Sequence, residues 1–139
     1  MAVSSRFAVA VHVLALLAYF ERHGGDRVPS GTIARSVNTN AAVIRRLLGA
    51  LKRAGLVDAK EGKGGGARLA RRPSAISLED VHAAVEAESV VGLNRTPRFK
   101  KCPVSCGMAE AMPALAAEVD AAVARVLRGR TLAQLIAKL

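Results

Sequence analysis

The sequence is short of aromatic residues, of cysteine and of long apolar runs. Aromatic side chains make up 3% of the 139 residues and Trp is absent. The apolar content is mostly Ala, Val and Leu, which favours compact helices. The longest apolar run, Phe7 to Phe20, is too short to span a bilayer and is typical of a buried helix. No cleavage site of small residues follows it, so we expect a cytoplasmic protein without a membrane segment or an export signal.

Acidic residues are scarce in the first half of the chain. Residues 1–75 contain 13 Lys and Arg against 4 Asp and Glu, a net charge of +9, whereas residues 76–139 contain 8 against 7, a net charge of +1. An asymmetry of this kind predicts a module that binds a polyanion, followed by a module with another task. The simpler alternative is a generally basic surface that is only solvated.

The basic half has the pattern of a winged helix-turn-helix. A buried helix is predicted from about Ser4 to Arg22, and a short helix within residues 28–37. After the turn NTN, residues 41–55 predict an amphipathic helix with Asn40 as its N-cap. Two short apolar pieces on either side of GKGGGA then predict a small β-hairpin. In such a fold the second helix of the pair enters the major groove, and the wing lies against phosphate or the minor groove.

The glycine-rich tip of the predicted hairpin also invites comparison with nucleotide-binding loops. A Walker loop requires Ser or Thr after its Lys, but Gly64 follows Lys63. A dinucleotide-binding loop must open an amphipathic helix, and the sequence RLARRP that follows cannot form one. The glycines are therefore predicted to form tight turns that let the backbone approach DNA closely.

The second half is predicted to be helical and to form a dimer. A helix capped by Ser77 follows Pro73, residues 89–107 are predicted to be irregular, and Pro113 indicates that a long helix starts near it. Apolar residues then recur at spacings of three and four, as in helices that pair with another helix. They are Met108, Met112, Leu115, Val119, Ala122 and Val126. A core helix packed within the same chain is the alternative.

Thr131 and Gln134 predict the capping box of a last short helix. We therefore expect a mainly α fold with a small β-hairpin wing and a long C-terminal dimerisation helix. The expected division is a winged helix-turn-helix DNA-binding domain over 1–75, a connecting helix and cysteine-bearing loop over 76–107, and the dimerisation and C-terminal helices over 108–139.

Five stretches of the sequence resemble the Rrf2 family of bacterial transcription factors, whose best-known member is the iron–sulfur cluster regulator. They are SRFAVAVHVL, GTIARSVNTNAAVIRRLLGALKRAGLV, GKGGGARLAR, ISLEDVHAAVE and LRGRTLAQLI, and the resemblance extends over almost the whole chain. It implies a dimer whose first helix, recognition helix and wing contact operator DNA. The implied contact residues are Ser5, Arg6, Thr39, Asn40, Ala42, Arg45, Arg46, Lys63, Gly64, Gly65 and Arg68.

Position 45 departs from the iron–sulfur cluster regulator, which has an acidic side chain there. An Arg cannot accept a hydrogen bond from the amino group of cytosine, but it can pair with guanine. We therefore expect a different operator preference. The alternative is that Arg45 and Arg46 contact only phosphate.

The two cysteines, Cys102 and Cys106, lie between the winged domain and the predicted dimer helix. Cluster-binding relatives have three cysteines in this loop, and ligation of an iron–sulfur cluster generally needs four ligands, so we expect no metal and no cofactor. His82 is more typical of a packing residue than of a further ligand. Lys100, Lys101 and a nearby helix start favour thiolates, which predicts a thiol redox switch. Two small packing residues are the alternative.

The sequence therefore predicts a homodimeric repressor that binds double-stranded DNA and responds to the redox state of Cys102 and Cys106. The alternative is a regulator of the same fold that responds to a small ligand, a metal or an iron–sulfur cluster, with cysteines that only pack. Neither the operator nor an effector follows from the residues. We do not expect an enzyme, because the sequence has no Ser–His–Asp order, HExxH motif, paired carboxylates or nucleotide loop.

Overall fold

Six α-helices and one β-hairpin form residues 4–139, which is the part of the chain that this computed structural model describes. The helices are α1 (Arg6–Arg22), α2 (Ser30–Val37), α3 (Ala41–Arg53), α4 (Leu78–Val85), α5 (Pro103–Arg128) and α6 (Leu132–Ile136). The strands are β1 (Val57–Lys60) and β2 (Gly66–Leu69), and a short 3₁₀ turn covers Pro73–Ala75. The predicted class, mainly α with a hairpin wing and a long C-terminal helix, is confirmed.

Helix α1 is the centre of the hydrophobic core. Its residues Ala10, Val13, Leu14 and Leu17 are at most 2% exposed, and it packs against α2, α3, α4, α6 and β2. Apolar residues on most sides of α1 are therefore a requirement of its position, since nearly every side is covered by another element. The longest apolar run is a buried helix, as predicted.

The turn between α2 and α3 is fixed by two asparagines. Asn38 ends α2 in the left-handed region at φ 64°, which Asn adopts more readily than most residues. The Asn40 side chain accepts a hydrogen bond from the Val43 amide at 2.9 Å and so caps α3, which confirms the predicted N-cap. Helix α3 turns its apolar stripe into the core through Ile44, Leu47, Leu48 and Leu51.

The wing is an antiparallel hairpin that pairs Val57 with Leu69 and Lys60 with Gly66. It is attached to the domain by an isolated bridge between Val28 and Ala67. At Gly66, where φ is 137°, a Cβ atom would lie 2.6 Å from the Val28 carbonyl oxygen. Only glycine fits there, because the hairpin and the preceding segment approach too closely for a side chain.

Helices α4 and α6 are joined at their starts. Ser77 and Asp80 form the capping box of α4, Thr131 and Gln134 form that of α6, and an isolated bridge pairs Ser77 with Thr131. The predicted cap at Ser77 and the predicted box at Thr131 are both confirmed. The start of α6 therefore lies beside the start of α4, at the same edge of the core.

Helix α5 begins ten residues earlier than predicted. The expectation that regular structure starts near Pro113, and that residues 103–107 belong to an irregular loop, is wrong, because α5 runs from Pro103. Pro103 occupies the first helical position, where its fixed φ suits a helix and its missing N–H costs nothing. Pro113 lies inside the helix at the loss of one backbone hydrogen bond.

Helix α5 is attached along one side and open along the other. Arg128 donates two hydrogen bonds to the Glu79 carboxylate, at 2.8 and 2.9 Å, and these hold the pKa of Glu79 below its ordinary value. The Asp120 carboxylate accepts the Val90 amide at 2.9 Å, which lowers the pKa of Asp120. Within the described part of α5 only Ala116 is fully buried.

No helix among residues 4–139 has the length and apolarity needed to cross a bilayer.

The docking of α6 can be tested with two leucines of the same helix. Leu132 is 0% exposed, whereas Leu135 is 53% exposed. Leu132→Ala is expected to lower the free energy of unfolding by about 2–5 kcal/mol, because it leaves a cavity in the core. Leu135→Ala should change it by less than about 0.5 kcal/mol. Chemical denaturation measures both values, and equal effects would mean that α6 is not part of the core.

Candidate nucleic-acid interface and thiol pair

The recognition helix α3 presents a basic face to solvent. Arg45 and Arg46 are exposed, as are Ala42 and the capping residue Asn40, while Thr39 is half-buried. The face points outward because the apolar stripe of the same helix is buried on the opposite side. Every predicted contact residue of α3 is therefore accessible to a ligand from solvent.

An open groove of about 890 Å³ lies between α3 and the wing. Arg45, Gly49 and Lys52 line it from α3, since residues at i, i+4 and i+7 share a helix face. From the wing side it is lined by Ala59, Lys60, Glu61, Gly62, Gly65 and Gly66, and Pro29, Ser30 and Leu48 complete it. Of the predicted contact residues only Arg45 and Gly65 line this groove.

Gly49, Lys52 and Lys60 are among the groove residues that the sequence analysis missed. The helical period after Arg45 is the signal that could have identified Gly49 and Lys52. Lys60 could not be found in that way, because its position depends on how the hairpin folds against α3. Lys52 also joins the two sides, since its Nζ donates to the Ala59 carbonyl oxygen at 3.0 Å.

A cluster of ion pairs fixes the base of the wing. Asp58 contacts Arg27 at 2.7 Å and Arg68 at 3.4 Å, and Arg68 also contacts Asp26 at 3.2 Å. The hydrogen bond from Arg27, followed by the positive charges of Arg27 and Arg68, lowers the pKa of Asp58. Arg68 is thus oriented by two carboxylates, although half of its side chain remains exposed.

The other predicted contacts lie outside the groove. Lys63 and Gly64 are exposed at the tip of the wing, and Ser5 and Arg6 are exposed where α1 begins. Ser5 occupies the N-cap position of α1 without a capping hydrogen bond from its side chain. A ligand that touched all the predicted residues would therefore have to extend beyond the groove.

The two cysteines occupy the first turn of α5, and their sulfur atoms have opposite hydrogen-bonding roles. Cys102 is the N-cap, and its Sγ accepts the Ser105 amide at 3.4 Å. The Cys106 thiol donates toward the carbonyl oxygens of Phe99 and Lys100, at 3.9 and 3.7 Å. Both thiols are free and half-buried. Among residues 4–139 no group of three or more His, Cys, Asp or Glu is arranged to hold a metal ion.

The His82 side chain of α4 packs against Phe7 of α1. Its ring meets the ring of Phe7 edge-on, with centroids 5.4 Å apart and an interplanar angle of 71°. Such a contact is typical of a side chain that joins two helices. It accords with the prediction that His82 is a packing residue.

The predicted dimer stripe of α5 is largely uncovered. Met108, Leu115 and Val126 are 50%, 49% and 63% exposed, whereas Met112, Val119 and Ala122 are partly covered. Close to its start, a cavity of about 540 Å³ lies between the segment 92–99 and α5. Its lining includes Arg98, Phe99, Met108 and Met112.

The sequence of residues 3–138 matches the family model of Rrf2, described as an iron-dependent transcriptional regulator. The chain belongs to the Rrf2 family. It is 34% identical over 131 residues to YwnA of Bacillus subtilis, which is assigned to the HTH-type transcriptional regulators, and the match covers 94% of this chain and 93% of YwnA.

Solved structures agree with this assignment. A crystal structure described as that of a DNA-binding protein has 32% sequence identity and a TM-score of 0.72, and the match covers 95% of this chain and 99% of that one. CymR of Staphylococcus aureus in an oxidized form has 25% identity and a TM-score of 0.69, with 100% and 98% of the two chains covered. The resemblance to Rrf2 regulators and the winged helix-turn-helix fold are confirmed. The protein is a transcriptional regulator and not an enzyme.

The ion pairs of the wing lead to a prediction about pH. Because the folded-state pKa of Asp58 is lowered, its contribution to stability is present above the unfolded-state pKa and is lost as the pH falls through the folded-state pKa. Asp58→Asn should therefore be less stable than the wild type near neutral pH and equally stable in strong acid. Urea unfolding over a pH series measures the difference.

The matched control for this prediction is Asp26→Asn. Asp26 contacts only Arg68 among these residues, and its side chain is 75% exposed, so its loss should change stability little. A constant deficit of Asp58→Asn at every pH would contradict the assignment of its effect to the charged carboxylate.

Proposed function

We propose that this Rrf2 regulator is a homodimeric repressor whose binding to operator DNA is controlled by oxidation of Cys102 and Cys106. The observation that supports the control step is the position of both thiols in the first turn of the helix with the uncovered apolar stripe. A change at the thiols would act directly on the element that sets the spacing of two recognition helices.

DNA is the polyanion that best matches the basic half. The exposed Arg45 and Arg46 lie on an outward helix face beside a hairpin with an exposed Lys63, and this places a helix and a wing side by side as in DNA-binding winged domains. Binding would depend on Lys and Arg contacts with phosphate, so the affinity should fall steeply as salt is raised.

The uncovered stripe of α5 supports a dimer. A helix whose apolar residues recur at spacings of three and four, and whose Leu115 and Val126 remain about half exposed or more, gains stability by pairing with the same helix of a second copy. A two-fold dimer would present two recognition helices to two half-sites of an operator. Within its own chain α5 packs mainly on α4, and this leaves Leu115 and Val126 of the stripe open to solvent.

The hydrogen bonds of the thiols suggest different roles for them in oxidation. Cys102 Sγ accepts an amide hydrogen bond at a helix N-terminus, so this sulfur acts as an acceptor. The Cys106 sulfur faces two carbonyl oxygens, which only a protonated thiol can satisfy. We therefore assign Cys102 as the nucleophile and Cys106 as the resolving thiol.

The proposed oxidant is a peroxide. The Cys102 thiolate attacks one peroxide oxygen, which breaks the O–O bond and gives a sulfenic acid and a hydroxide or alkoxide ion. The Cys106 sulfur then attacks the sulfenic sulfur, and the disulfide forms as water leaves with the thiol proton. Thiol reductants would reverse the step by exchange. CymR, a structural relative, has been crystallised in an oxidized form.

Disulfide formation would distort the start of α5. The Cys106 amide donates the first backbone hydrogen bond of the helix to the Cys102 carbonyl oxygen, at 3.1 Å. Cβ atoms four residues apart on a helix are about 5–6 Å apart, whereas a disulfide requires about 3.8 Å. The bridge would therefore break the Cys102 cap and strain the first turn.

Contacts between helices offer a route from the thiols to the DNA-binding elements. Helix α5 is joined to α4 by Arg128 and Glu79. The far end of α4 is joined to the start of α1, since Ser4 donates to the Glu86 carboxylate at 2.8 Å. Ser5 follows directly, so a shift of α5 could reach a predicted DNA contact through two packed helices.

We propose that the switch works without an iron–sulfur cluster, although the family is described as iron-dependent. The chain contains two cysteines, and a cluster generally takes four protein ligands, mostly thiolates. The donor set of one chain therefore does not fit such a cluster. Metal analysis of protein purified without oxygen would contradict this proposal if it found stoichiometric iron.

A second candidate is a regulator controlled by a small ligand, and the cavity between the segment 92–99 and α5 favours it. Its volume of about 540 Å³ is within the range of small-molecule sites. Phe99 and the two methionines of its lining are apolar, and Arg98 would suit an acidic group. A ligand-dependent rise in melting temperature that persists without the cysteines would favour this candidate.

Replacement of Leu115 by Glu tests the dimer. Leu115→Glu is expected to give a monomer, because it places a charge in the apolar stripe. Its affinity for DNA from upstream of its own gene should fall by about 10²-fold or more, because the two half-sites no longer bind as one unit. Sedimentation velocity and fluorescence anisotropy measure the two effects. Ala114→Glu, at an exposed position outside the stripe, is the control and should remain dimeric, and a dimeric Leu115→Glu protein would refute the proposed interface.

The thiol assignment is tested with single and double serine variants in metal-free protein. Peroxide should weaken DNA binding by the wild type, and dithiothreitol should restore it. Cys102→Ser should not respond, because it lacks the nucleophile. Cys106→Ser should accumulate a sulfenic acid that dimedone traps, because it lacks the resolving thiol. If the double variant still released DNA on oxidation, the thiol switch would be excluded.

A further inference from the structure

Gly49 lies in the middle of the recognition helix without a structural reason for being glycine. It is not among the glycines with positive φ. A Cβ atom built there would meet only the Arg53 Nη1 atom, at 3.5 Å, which is an ordinary contact with a flexible side chain. Glycine in a helix interior lowers stability relative to alanine. The fold alone would therefore favour alanine at this position.

Gly65, on the opposite side of the same groove, is a glycine that the fold of the hairpin requires. A Cβ atom at Gly65 would lie 2.2 Å from the Lys60 carbonyl oxygen and 2.8 Å from that of Gly62. No backbone atom can make room at those distances, so the hairpin itself requires glycine. The contrast indicates that Gly49 is needed for something outside the chain.

The missing side chain at Gly49 leaves space between positive charges. Arg45 and Lys52 lie one turn before and one turn after Gly49 on the same face of α3, and Lys60 faces them from the wing. Glu61 is the acidic residue in this lining. The groove is open to solvent and about 890 Å³ in volume, so an extended anionic chain can enter it from the surface.

We propose that Gly49 keeps this groove open for one sugar–phosphate strand of duplex DNA, with its phosphates between Arg45, Lys52 and Lys60. The inference rests on the proposed DNA binding and adds residues to that site. Lys52 is suited to the task because its hydrogen bond to the Ala59 carbonyl oxygen holds the ammonium group between helix and wing. Phosphate contacts of this kind position a protein on DNA and do not depend on base sequence.

Two variants at position 49 test the inference, with opposite expectations for stability and binding. Gly49→Ala should raise the melting temperature by about 3 °C, as expected for a helix-interior glycine in a chain of this size. The same variant should weaken binding to a mixed-sequence duplex of about 30 base pairs at low salt by roughly threefold, and Gly49→Leu by more than about tenfold. Thermal unfolding and fluorescence anisotropy under reducing conditions supply the two measurements.

Gly107→Ala is the matched control. Gly107 is also within a helix, and a Cβ atom there has nothing within 4 Å, but it does not line the groove. This variant should gain stability and keep the wild-type affinity for DNA. A combination of higher stability and weaker binding at position 49 alone would support the proposal, even if the leucine variant did not fold.

Arg46→Ala separates failure of this inference from failure of DNA binding itself, because Arg46 is an exposed predicted DNA contact of α3 that does not line the groove. If Gly49→Ala and Gly49→Leu bind the duplex as tightly as the wild type while Arg46→Ala binds more weakly, DNA does not enter the groove and the inference is wrong. If the wild type shows no salt-dependent binding to the duplex, the proposed function fails as well.

Discussion

Helix α1 must be covered on almost every side, because its apolar residues occupy most of its circumference and several are fully buried. This requirement arranges the rest of the molecule. The recognition unit α2–α3, the base of the wing, and the helices α4 and α6 all pack against it. The DNA-binding elements and the elements that join α5 therefore share one core, and neither group can move far without disturbing the other.

The local parts of the fold could be predicted because short-range chemistry determines them. Asn40, Ser77 and Thr131 cap helices by bonds to amides three residues ahead, and such pairs are visible in the sequence. The start of α5 could not be predicted in this way. Pro113 predicts a helix start, whereas the actual start combines Pro103 at the first position with a sulfur atom as the cap, and cysteine is not among the usual capping residues.

The candidate DNA site was predictable as a set of residues on a helix and a hairpin, but its shape was not. Helical periodicity places Arg45 on the outward face, and composition identifies the basic half. The groove depends on the distance between α3 and the wing, which only the folded core determines. The ion pairs of Arg68 with Asp26 and Asp58 likewise join residues far apart in sequence, so no local pattern reveals them.

The bridge between Ser77 and Thr131 has an evolutionary consequence. It brings together the two ends of the segment 78–130, which contains the thiol pair, the 540 Å³ cavity and α5. Beyond α4, which belongs to the core, a segment that is closed at its base can change in length or composition at little cost, since doubling a loop costs only about 0.6 kcal/mol. Descendants of this chain could therefore exchange one sensor for another within that segment and keep the same winged domain.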